Sequence, residues 1–183
     1  MTALGRIDAR VLGAALAGPR AVEPEAIEQA AEQVYERARL AHTLEGELPS
    51  PVDLLTRAGV VVVEDHLPDA VPVIALGARV VVRVGLDRTE AGLAVALAGA
   101  GAELARIGAP HTQGDAVALA LALLLPRSTL ATARDEGELS PEDLGAYQPR
   151  APVWALQLRA EGRETLPQVG REGRERRPHH RPR

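Results

Sequence analysis

"AGLAVALAGAGAELARIG", residues 91–108, is the stretch on which the reading of this chain turns. Its Ala and Leu content favours a helix, Asp87 is placed to cap the start, and Glu90 follows at capping-box spacing. Gly108 suits the position just past the end. Leu93, Leu97, Ala100, Leu104 and Ile107 share one stripe, so the helix is expected to pack against a core. Gly99 and Gly101 are out of place, because a glycine inside a helix costs about 1 kcal/mol relative to Ala. Close approach of a neighbour explains such glycines; so does the loss of a pair of bulky functional side chains.

The flanking sequence supplies the surroundings. "PEAIEQAAEQVYERARL" (24–40) is amphipathic, with Ile27, Ala31, Val34 and Ala38 on one stripe. Ser50, Pro51 and Gly59 punctuate a short helix over about 51–58. "VVVVED" (60–65) is a β-branched strand, and "VPVIAL" and "RVVVRV" flank Gly77-Ala78 as the arms of a tight hairpin. Arg79 and Arg83 interrupt the last strand, which predicts one wet face. "AVALALALLLP" (116–126) is apolar on every side and too short for a membrane, so it reads as a buried central helix. "SPEDLGAY" (140–147) and "APVWALQLRAEG" (151–162) read as two short C-terminal helices. The expected class is α+β, with helices around a three-stranded sheet.

Composition bounds the rest. Trp154, Tyr35 and Tyr147 are the only rings, so the core must be aliphatic. All 21 basic residues are Arg, and the absence of Cys excludes disulfides, thiolate zinc sites and cysteine nucleophiles. Residues 161–183 carry seven Arg against four Glu, an expected disordered tail; with a net charge of −4, the body over 1–160 carries −7. An acidic body argues against a specific nucleic-acid surface. Residues 1–22 read as an N-terminal segment with a loose helix at "VLGAALAG", where Asp8 spoils a signal-peptide reading. No stretch is apolar enough for a membrane span, and a cytoplasmic protein is the default expectation.

Two local pieces, "PVDLLTRAGVVVVED" (51–65) and "DAVALALALLLP" (115–126), together with the order of elements, resemble the ImmA/IrrE family of zinc metallopeptidases. The resemblance covers about residues 23–160. It implies a zincin-like fold, a catalytic helix carrying two zinc-binding His with a general-base Glu, and a helix-turn-helix repressor as partner. Set on this chain, the first His position is Gly99, the base position is Ala100 and the second His position is Glu103. The third ligand falls on Asp115. The histidines and the base are absent, which leaves Glu103, Asp115 and the loop residue His111 as weak metal candidates. Simpler roles exist for each: Glu103 pairing with Arg106, Asp115 closing a capping box with Thr112, His111 exposed in a turn. His179 and His180 lie in the tail.

The reading is therefore a catalytically inactive, regulatory binding module, with no cofactor expected. Alternatives are an active zinc metallopeptidase with substituted ligands, and an accessory protein of a mobile element.

Overall fold

The computed structural model describes residues 2–4, 7–39, 47–108 and 110–164. Of the expected disordered tail over 161–183, residues 161–164 are instead helical, and the rest, with His179 and His180, lies outside the described residues, as does Leu40 at the end of the first amphipathic stretch.

The chain opens with β1 (Thr2–Leu4) and α1 (Ala9–Ala17), then α2 (Pro24–Arg37) and α3 (Pro51–Arg57). The sheet continues with β2 (Val61–Asp65), β3 (Val73–Leu76) and β4 (Arg79–Arg83), and α4 (Arg88–Arg106) and α5 (Gln113–Leu124) follow. The chain then runs through α6 (Arg127–Asp135), α7 (Pro141–Tyr147) and α8 (Val153–Glu164). This is a mixed α+β fold. Two additions go beyond the sequence reading. The three expected strands are joined by β1, and α6 makes three C-terminal helices where two were expected. Neither β1, at three residues, nor α6, with only Thr129, Leu130 and Ala133 buried, has a long periodic signal.

The sheet order is β1-β3-β4-β2. β3 and β4 form the hairpin, with Leu76 opposite Arg79, and β2 runs parallel to β4 with Val61 opposite Arg79. Gly77 makes the tight turn at a φ of +58°, which an L side chain rarely adopts. The wet face expected for β4 is not there: Val80, Val81 and Val82 are all buried, and polarity is confined to Arg79 and Arg83 at its ends.

α4 is the centre of the fold. Asp87 accepts hydrogen bonds from the Thr89 and Glu90 N–H groups at 2.8 and 3.0 Å and so starts the helix. Gly92 to Ala100 is buried without interruption, because α3, α5, β3 and β4 pack around it. Ile107, expected on the buried stripe, is instead 41% exposed at the helix end. Small residues permit the close packing. A Cβ on Gly92 would overlap the Arg150 carbonyl, and one on Gly99 would overlap Leu55 of α3. Gly101 differs: a Cβ there meets nothing within 4 Å.

α5 lies against α4 and is buried on nearly all sides, with α1, α2 and α8 completing its cover. Tyr35, fully buried on α2, donates its hydroxyl to the Leu123 carbonyl at 2.9 Å, which satisfies the polar end of the core's largest buried side chain. Among the described residues no single helix is long and apolar enough to cross a membrane.

The two glycines should answer the same substitution in opposite directions. Gly101→Ala is expected to raise unfolding free energy by about 0.5–1 kcal/mol, since it adds helix propensity in open space. Gly99→Ala is expected to lower it by about 1–3 kcal/mol through overpacking against Leu55. Denaturant midpoints of the two variants check the pair.

Candidate functional site

α4 carries Gly99 and Glu103 one turn apart, and both line a space that α4 shares with α3 and the hairpin turn. The space is a cavity of about 870 Å³, floored by Leu55, Val60 and Leu97. Gly99, Gly101 and Ala102 of α4 line it, as do Gly77 and Ala78 of the hairpin turn. Its polar lining comes from Arg37 in the last turn of α2, Glu103 and Arg106 of α4, and His111 with Thr112 from the loop before α5.

Glu103 is buried at 6% exposure, which an isolated carboxylate does not tolerate. It is held by two guanidinium groups, each in a two-point contact. Arg37 donates from Nη1 to Oε1 at 3.1 Å and from Nη2 to Oε2 at 2.7 Å. Arg106 donates from Nε to Oε2 at 3.0 Å and from Nη2 to Oε1 at 2.7 Å. Burial alone would raise the Glu103 pKa, but the hydrogen bonds and charges of Arg106 and Arg37 outweigh it and hold the carboxyl below its ordinary range. The Arg106 contact follows the i,i+3 expectation. The Arg37 contact, from 66 residues away, gives no local sequence signal, and Glu103 is buried where a solvated residue was expected.

Asp115 is fully buried and faces elsewhere. Its Oδ2 accepts from the Thr112 N–H at 2.7 Å while Asp115 N–H donates to Thr112 Oγ1 at 3.2 Å, completing the capping box. The same carboxylate accepts from the Ala21 N–H at 3.0 Å and the Val22 N–H at 3.3 Å. Arg20 reaches alongside, donating to the Gly114 carbonyl at 2.6 Å. Within the described residues 7–22, Leu12 of α1 is buried, Ala15 abuts Gly114, and the 19–22 turn is fastened to the start of α5. Burial would raise the Asp115 pKa, and the backbone hydrogen bonds from Thr112 and Ala21 reverse this and lower it.

Of the residues singled out by sequence, Gly99, Glu103 and His111 line one cavity. Ala100 is turned into the core at 0% exposure, and Asp115 is not among the cavity residues. This donor set does not match a zincin centre, which needs three protein ligands around a reachable metal. Glu103 spends both oxygens on guanidinium groups, Asp115 spends both on backbone N–H groups, and two arginines put positive charge where a dication would sit. Among the described residues no group of three His, Asp or Glu is placed to hold a metal ion.

Comparison with protein-family models, with curated proteins and with solved structures finds no match for this chain.

Two acid-sensitive outcomes follow from the carboxylates. Both are lowered in the fold, so the stability they contribute is complete above about pH 5 and is lost as the pH falls through the folded-state values. Glu103→Gln is expected to flatten the acid limb of the stability–pH profile; a slope equal to the parent's contradicts the clamp. Asp115→Ala is expected to cost about 1–3 kcal/mol by removing the cap and stranding the Ala21 and Val22 donors, read as a fall in denaturant midpoint.

Proposed function

We propose that this chain is a catalytically silent, ImmA/IrrE-like module that acts by binding a helix-turn-helix regulator. The single observation that carries the silent half is the state of Glu103. At the helix position where the resemblance calls for a metal ligand, the carboxylate is engaged by four hydrogen bonds from Arg37 and Arg106. Recruiting it to a metal means breaking two charge-assisted forks, interactions about twice as strong as neutral hydrogen bonds. Nor is there a base beside it, since position 100 is Ala.

The partner half rests on the resemblance and on charge. The −7 carried by residues 1–160 complements the basic face with which a helix-turn-helix protein meets DNA. Binding of this kind shields the regulator without cutting it.

Purified from chelator-free buffers, the full chain is expected to hold far less than one zinc per molecule by elemental mass spectrometry. A stoichiometric ion lost in the His111→Ala variant overturns the silent reading. Mixed with helix-turn-helix repressors encoded beside its gene, the chain is expected to co-elute with one of them and leave it full-length. Zinc-dependent fragments, or no association with any of them, count against the proposal.

A further inference from the structure

The cavity beside α4 has the size and chemistry of a small-molecule site. At about 870 Å³ it lies within the roughly 300–1,000 Å³ typical of ligand pockets. Its space comes from missing side chains: Gly101 and Ala102 put almost no atoms into it, and the open surroundings of Gly101 mean that helix packing does not require a glycine there. Leu55, Val60 and Leu97 make the interior apolar.

Charge then narrows the occupant. Two arginines and one glutamate meet on the cavity lining, which leaves one positive charge uncompensated within the cluster. Glu103 occupies Nη1 and Nη2 of Arg37, and Nε and Nη2 of Arg106. Nη1 of Arg106 and Nε of Arg37 make no hydrogen bond among the described residues. A cationic ligand meets repulsion, whereas a carboxylate finds the exposed guanidinium of Arg106 on the cavity lining.

We propose that this cavity binds a small amphipathic carboxylate, its apolar body against Leu55, Val60 and Leu97 and its carboxylate on the guanidinium of Arg106. This goes beyond the repressor-binding reading and does not depend on it. A bound ligand would make the module a sensor as well as a binder.

Titration calorimetry of the full chain with octanoate, kept below its micelle concentration, and with octanol as the neutral partner tests this. Octanoate is expected to bind one-to-one and at least about tenfold more tightly than octanol, a difference of about 1.4 kcal/mol. Arg106→Gln should bring octanoate to within about threefold of octanol, because Glu103 keeps its Arg37 partner while the spare charge is gone. Gly101→Leu should abolish binding of both while retaining parental helicity, since the new side chain fills space that nothing occupies. Equal affinities for the two probes, an unchanged affinity in either variant, or no saturable binding because the chain itself fills the cavity would each overturn the proposal.

Discussion

The close approach of its neighbours to α4 is the constraint on which the fold depends. With three aromatic rings in the whole chain, the core cannot be filled by large side chains, so backbones must come together instead. Gly92 receives the Arg150 carbonyl and Gly99 receives Leu55, which brings the segment before α8 and helix α3 against the same helix from different sides. Dispersion contacts grow in number as spacing shrinks, and this is how an Ala- and Gly-rich interior reaches native density. Gly101 escapes that logic. It lines the cavity, and α4 is as small there as on its packed faces.

The two buried carboxylates show how acids are retained in such an interior. Each is fully supplied with donors, one by guanidinium groups and one by backbone N–H groups, and each joins parts of the chain distant in sequence. Glu103 ties the end of α2 to the end of α4; Asp115 ties the 19–22 turn to the start of α5. Breaking either leaves a charge or several donors stranded, so both positions are intolerant for structural reasons whatever their history.

Much of this was legible beforehand. The hairpin at Gly77, the caps at Ser50, Asp87 and Thr112, and the buried α5 are local or periodic signals, and they appear where spacing puts them. The capping role of Asp115 is written in its distance from Thr112. What stayed hidden is long-range. Nothing near Arg37 marks it as the partner of Glu103, nothing in residues 19–22 announces that Asp115 will receive their N–H groups, and β1 is too short to have a pattern. Gly99 and Gly101 look alike in sequence and differ in space, because only a neighbour's position distinguishes a packed glycine from an open one.

The tether between Asp115 and the backbone of residues 21 and 22 spans 94 residues. During synthesis, α1 and the turn behind it leave the ribosome long before the start of α5 exists to receive them. The contact between the 19–22 turn and α5 can therefore close only after the sheet and α4 have been made.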